Sequence, residues 1–176
     1  MAENNQTINT LQRLLDYNAG KFTSGEIQLK KSLPEWINTA TSLQLKVILE
    51  KYYDLVELHV KKMEIFFEEE KILSLGFHNR VMQSYIEELN EALSKCADSK
   101  IKDACIVAGL QAINHLKISS YGTAAAFANT LEMEKQAAIF HEAEVNEKQI
   151  DDRLSQLAAH EINPVAKTTI LISGEK

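Results

Sequence analysis

Apolar residues recur along this chain at helical spacing, and the recurrence divides it into long amphipathic segments. In the first, Leu11, Leu15, Phe22, Leu29, Leu33 and Ile37 fall on one side at four- and seven-residue steps, which predicts a helix from about Thr7 to near Asn38. Gly20 to Gly25 and Pro34 are the places where it is expected to bend or fray. A second helix is predicted from a Thr41/Ser42 cap to about Lys71, with Leu45, Ile48, Leu49, Tyr52, Leu55, Val56, His59, Val60, Met63, Phe66 and Phe67 on one face. The string SLGFHN reads as a connection. Arg80 to Cys96 gives a shorter third helix, Asp98 caps a fourth that runs to about Thr130, and Glu132 or Met133 starts a fifth that reaches about Glu161, where Asn163-Pro164 is expected to stop it.

Four long helices and one shorter one, joined by brief connections, predict an all-α antiparallel four-helix bundle with a fifth, shorter helix. The domain spans residues 1–163, and residues 164–176, with the apolar string TTILI, form a flexible or docking tail. Composition agrees: 176 residues are enough for one sizeable core, and only six Gly and two Pro leave few turns for a β fold. A net charge of −6 speaks against nucleic acid and acidic membrane surfaces as partners. The N-terminus MAENNQTINT lacks the basic and apolar regions of a secretory signal, and no apolar run reaches membrane-spanning length, so a cytoplasmic location is expected. Cys96 and Cys105 lack the partners of a zinc site and read as ordinary thiols in a reducing compartment.

The chemistry of interest lies among inward-facing polar residues. Glu26 sits in the middle of the first apolar stripe, where an ionised carboxylate is costly unless paired, hydrogen-bonded or metal-bound. His59 lies within the apolar face of the second helix. On the fourth helix the stripe Ala108, Gln111, Asn114, Ile118, Tyr121 and Ala125 turns Gln111 and Asn114 inward with His115 near its edge. On the last, Ile139, Ala143, Asn146, Ile150, Leu154 and Leu157 place Asn146 centrally with Glu147 flanking it. Singly, each is explained as a hydrogen-bonded core residue; together they suggest one polar layer.

Bundles that hold two metals use a Glu from each of two helices and a Glu-x-x-His pair from each of the others. Here the carboxylates are too few. The nearest spacings, Asp54 with Glu57 and Glu147 with Asp151, fall at the edge of the apolar faces and read as solvated flanks. Two divalent cations carry four positive charges, which Glu26 and Glu147 cannot balance. A Lys117 ammonium reaching inward would instead pair with Glu26 or Glu147 and replace the metal as countercharge. The small-residue run Gly122, Ala124, Ala125, Ala126 and Ala128 is read as close packing within the bundle, with a subunit interface as the alternative. No GxSxG elbow, cysteine nucleophile context or Gly-rich phosphate loop is present.

The strings SGEIQLKKSLP, ELHVKKMEIFF, AGLQAINHLKISSYGTAAAFA and VNEKQIDDRLSQLA, in this order, resemble stretches of the YciF-like proteins of the ferritin-like superfamily, over roughly Phe22 to Lys167. The resemblance implies a ferritin-like bundle, dimeric, cytoplasmic and associated with stress responses, with a two-metal centre in the core. It also implies a depleted centre here. Glu26 matches the first-helix carboxylate, whereas Leu55, Val56 and His59 stand where relatives have a carboxylate, a Thr and a Gln or His. Asn114-His115-Leu116-Lys117 replaces Glu-His-Tyr-Glu, and a run of Glu becomes Val145-Asn146-Glu147 before Lys148, with Asp151 retained. The expectation is a stress-associated, non-enzymatic homodimer with no cofactor and a core polar layer of Gln111, Asn114, Asn146 and Lys117. The alternative is an iron- or manganese-dependent oxidase or peroxidase using Glu26, His59, His115 and Glu147. A small-molecule ligand of unknown identity in the same cavity is a third reading.

Overall fold

The first four helices each start at a side-chain cap that satisfies amides left free in the first turn. In the computed structural model, which describes residues 7–72 and 77–167, Thr10 accepts from the Arg13 amide at the head of α1 (Leu11–Thr39) and Ser42 from that of Leu45 at α2 (Leu43–Glu69). Asn79 accepts from Met82 at α3 (Arg80–Lys95), and Asp98 from Lys100 and Ile101 at α4 (Ser99–Thr130). The last long helix, α5 (Glu134–Leu157), has no such side-chain cap. Among the described residues the chain is helix and connection, without strands.

Short joints between α1 and α2 and between α4 and α5 make those pairs antiparallel neighbours, and α2 packs on α5 as α1 packs on α4. The α2-to-α4 passage is the one long crossover, and α3 lies within it against α1 and α4. Its close seat needs glycines on its neighbours. A Cβ at Gly109 of α4 would lie 2.7 Å from a Leu89 methyl, and one at Gly25 of α1 would lie 2.9 Å from the Asn79 amide nitrogen. The Trp36 indole N–H, fully buried in the core, donates to the Asn90 side-chain oxygen at 2.8 Å and ties α1 to α3.

Two expectations are modified, and the internal packing expected of the small residues on α4 is met. The first helix runs unbroken through Gly20 and Gly25 and continues past Pro34 to Thr39, because these glycines give room to neighbouring side chains while remaining helical. Asn163-Pro164 does not stop the last helix. The backbone widens into a π-helical turn over Ala158–Ile162, with the Asn163 amide donating to the Ala158 carbonyl, and resumes as the short α6 (Asn163–Lys167). Proline is tolerated there because an opening turn has amides without helical partners anyway. The small-residue face of α4 is internal, with Ala124, Ala125 and Ala128 packed in the core. The TTILI tail, and the Ser74 to Gly76 part of the SLGFHN connection, lie outside the described residues.

The apolar interior forms two clusters. One gathers Leu29, Leu33, Trp36, Leu49, Val56, Ile113 and Ile150, and the other Phe22, Met63, Phe66, Tyr121, Phe140 and Ala143. Along α1 the passage from one to the other crosses Glu26; along α2 it crosses His59; along α4, Lys117; along α5, Glu147. A polar layer therefore separates two apolar ones.

Asp103 is a third buried acid beside Glu26 and Glu147, one that the sequence did not flag. From the first turns of α4 its carboxylate accepts the Thr41 amide at 2.7 Å, the Thr41 hydroxyl at 2.6 Å and the Ser42 amide at 2.9 Å, clamping the α1–α2 turn. Asp103→Ala leaves buried donors without an acceptor. It is expected to lower unfolding free energy by about 2–3 kcal/mol, read as a fall in the urea midpoint at unchanged m value; a change within about 0.5 kcal/mol would show that the clamp is dispensable.

Candidate functional site: a buried ion layer

Phase on each helix decides which side chains meet in the layer. Glu26, His59, Lys117 and Glu147 are 1%, 2%, 3% and 0% exposed, and the contacts among them are direct. The Lys117 ammonium lies between two carboxylates, 2.9 Å from Glu26 Oε2 and 2.5 Å from Glu147 Oε1. His59 Nδ1 is 3.4 Å from Glu26 Oε1 and 3.5 Å from Glu147 Oε1. The remaining oxygens have neutral donors. The Tyr121 hydroxyl donates to Glu26 Oε1 at 2.5 Å, and Glu147 Oε2 accepts from the Tyr52 hydroxyl at 2.9 Å and the Asn114 amide at 2.6 Å. Lys117 Nζ also reaches the Tyr52 hydroxyl at 3.2 Å and lies 4.7 Å from the centroid of its ring. On the far side of His59, Nε2 is 3.5 Å from the half-buried Asn146 amide.

Electrostatics follow from this geometry. Burial pushes the Glu26 carboxyl up, but Lys117, His59 and the Tyr121 hydroxyl facing it outweigh that and bring it down to about 2. Glu147 moves the other way: burial, with the Glu26 charge beside it, raises it more than Lys117 and His59 lower it. The two acids share one cation, so one ionises readily and the second less so. Burial disfavours the Lys117 charge, yet the two carboxylates more than restore it and its pKa is raised. Tyr52 and Tyr121 are held well above the ordinary phenol range by burial and then by the neighbouring carboxylates, so both remain hydrogen-bond donors.

Other candidates sit elsewhere. His115 is on the surface, its side chain 70% exposed, with Nε2 3.2 Å from Asp151 Oδ2. Gln111 donates to Ser155 Oγ at 2.8 Å along the α4–α5 seam and does not reach the layer. On α5 the positions of Asn146 and Glu147 are exchanged relative to expectation, Glu147 being central and Asn146 at the edge. The stripe is set by Phe140, fully buried against Phe22 and Phe66, instead of by its neighbour Ile139. On α4 the inner face is Ile106, Leu110, Ile113, Asn114, Lys117 and Tyr121, about a residue out of phase with the stripe through Gln111 and Ile118. Periodicity marks Tyr52 and Tyr121 as core residues and does not reveal their hydroxyls as part of the site. The available signal was spacing: Tyr52 lies seven residues before His59, and Tyr121 four after Lys117.

Glu26, His59 and Glu147 offer one ligand atom each within 4.8 Å of one another, a donor set that suits a single hard cation. Lys117 already faces the same two carboxylates. A dication beside an ammonium so placed would be repelled by it, so these residues do not fit a metal while Lys117 holds its charge there.

An all-α bundle with one long crossover and a buried carboxylate–imidazole–ammonium layer is the class that the fold and site define. The chain belongs to the family described as a domain of unknown function, DUF892, which matches residues 10–167. Its sequence is 28% identical over 145 residues to Protein YciF of Escherichia coli (strain K12), covering 82% of this chain and 87% of that protein. The crystal structure of the E. coli stress protein YciF superposes with a TM-score of 0.83 at 25% identity, covering 89% of this chain and 99% of the other. YcfI from Rhodopseudomonas palustris gives a TM-score of 0.82 at 26% identity, covering 86% and 96%.

Substituting the central cation separates its roles. Lys117→Met is expected to cost about 3–5 kcal/mol at neutral pH, because two buried carboxylates lose their partner, while adding Glu26→Gln recovers part of the loss. The sign with pH is fixed by the shifts. In the wild type Glu26 is depressed, so its contribution is present above about 4.5 and lost as pH falls toward about 2. Without Lys117 the acids favour their protonated forms, which acid supplies. The stability gap between wild type and Lys117→Met therefore narrows from pH 7 to pH 4, as measured by denaturant titration; a gap that widens would contradict the assigned charges.

Proposed function

We propose that this chain is a ferritin-like bundle in which the Lys117 ammonium stands as countercharge where the resemblance implies metal, and that it acts through association instead of catalysis. The observation that carries this reading is the placement of Lys117 Nζ 2.9 Å and 2.5 Å from the two core carboxylates. An ammonium neutralises charge but offers neither an open coordination position nor an electron to transfer. The single long crossover supports the ferritin-like assignment. The stress context rests on the relationship to YciF, which is named a stress protein. Homodimerisation and a cytoplasmic location belong to the same proposal, and no described helix is long and apolar enough to cross a membrane. Multi-angle light scattering is expected to give twice the 19.8 kDa chain mass; a monomer at working concentrations removes the dimer from this reading.

A second reading is favoured by the Glu26–His59–Glu147 set. With Lys117 displaced or neutral, those three residues would hold one iron or manganese ion, which supplies one-electron chemistry when bound. Elemental analysis after growth with iron or manganese separates the two. Wild-type protein is expected to carry far less than one ion per chain, and apoprotein given ferrous iron to consume oxygen no faster than buffer. Lys117→Ala, which removes the competing charge, is expected to bind manganese more tightly than wild type. Near-stoichiometric metal in the wild type, lost on Glu26→Gln, would overturn the ammonium reading in favour of the metal one.

A further inference from the structure

Helix α3 lies against α1 and α4 but begins only at Arg80, and beside its head the groove between those two helices stays open as a cleft of about 240 Å³. Asn18, Lys21 and Phe22 line it from α1, Ser119 and Thr123 from α4, and Asn79, the N-cap of α3, from the connection. Asn18 and Lys21 are three residues apart and Ser119 and Thr123 four apart, so each pair stands on one face of its helix. The Lys21 ammonium is held in place: Nζ donates to the His78 carbonyl at 3.0 Å and lies 5.5 Å from the centroid of the Tyr17 ring. No acid lines the cleft, and Lys21 has no ion-pair partner among the described residues. The side chains of Asn18, Ser119 and Thr123 make no hydrogen bond among the described residues either. In a chain of net charge −6 this is a concave surface of positive sign with polar groups to spare.

We propose that this cleft binds a phosphate group, either free or carried by a small monoester. Its volume falls below the range of about 300–1000 Å³ common to small-molecule sites, so the occupant is small. An ammonium has three protons to give, and Lys21 commits one to His78, which leaves two for a ligand. The Asn18 amide adds a donor from the same wall, and the Ser119 and Thr123 hydroxyls add two from the facing one. Donors arriving from two walls suit a tetrahedral oxyanion, whose oxygens point in several directions, better than a planar carboxylate. Helix α3 is 16 residues long and its N-cap lines the cleft, so the positive end of its dipole adds to the Lys21 charge. Phe22 supplies the apolar surface on which the carbon of an ester would rest.

The test titrates the full-length, isotope-labelled protein with inorganic phosphate at constant ionic strength, chloride making up the balance, and follows the backbone amides by NMR. Expected are saturable shifts centred on Lys21, Asn79, Ser119 and Thr123, with half-saturation in the millimolar range. Lys21→Met is expected to weaken binding about tenfold, and Lys21→Arg to retain most of it. Thr123→Ala, at an exposed position, is expected to weaken binding about threefold and keeps the test open should Lys21→Met fold poorly. A second titration uses glycerol 3-phosphate. Tighter binding than phosphate assigns a monoester with its carbon on Phe22, and equal or weaker binding assigns free phosphate; both support the site. Shifts that chloride alone reproduces, shifts centred elsewhere, or an affinity unchanged in both Lys21→Met and Thr123→Ala would each overturn it. None of these outcomes depends on the charge of Lys117.

Discussion

The ammonium of Lys117, held between two buried carboxylates, is the interaction on which the interior of this bundle depends. Leaving a charge in an apolar core without a partner costs several kcal/mol, so each helix that contributes to the layer constrains the others. Glu26 requires a cation, Lys117 supplies it, and its second face is taken by Glu147. Tyr52, Tyr121 and Asn114 then occupy carboxylate lone pairs that the ammonium cannot reach. The layer spans α1, α2, α4 and α5, and the two apolar clusters lie on either side of it.

A lysine and a metal ion solve the same charge problem with different consequences. A dication would draw carboxylates and imidazole into its coordination shell and leave room for an exogenous ligand. An ammonium has three protons to give, and here two face carboxylate oxygens while the third has the Tyr52 hydroxyl within reach. Its bonding is complete without a ligand. That completeness favours a structural role for the layer over a reactive one, and it follows from one side chain on α4.

Helix existence and most boundaries were legible because they depend on local signals. Thr10, Ser42, Asn79 and Asp98 cap helices whose apolar periods are long and regular. The all-α bundle follows from those helices and their short joints. Rotational phase was harder, since it depends on which of two adjacent apolar residues wins the core. Phe140 outcompetes Ile139, and that single choice moves Glu147 to the centre of α5. On α4, whose small residues spread around the helix, the stripe through Gln111 and Ile118 competed with the one through Leu110 and Lys117. The lysine was legible only as a conditional partner, because an inward cation becomes reasonable once two inward acids are known. Asp103 gave no signal of its own: its acceptors serve a turn more than sixty positions away in sequence.

The same layer constrains axial register. Were α5 to slide by one turn, Glu147 would move to the level of Ala143 or Ile150, among apolar neighbours, and Lys117 would lose its 2.5 Å contact. A slide of α1 would do the same to Glu26, between Phe22 and Leu29. An all-apolar core would tolerate such shifts far better, since one aliphatic layer packs on another at modest cost. Replacing a buried ion cluster wholesale with well-packed apolar residues is often neutral or stabilising, so the cluster is poorly explained as a source of stability. It is better explained as the element that makes one alignment of four long helices much lower in energy than its neighbours.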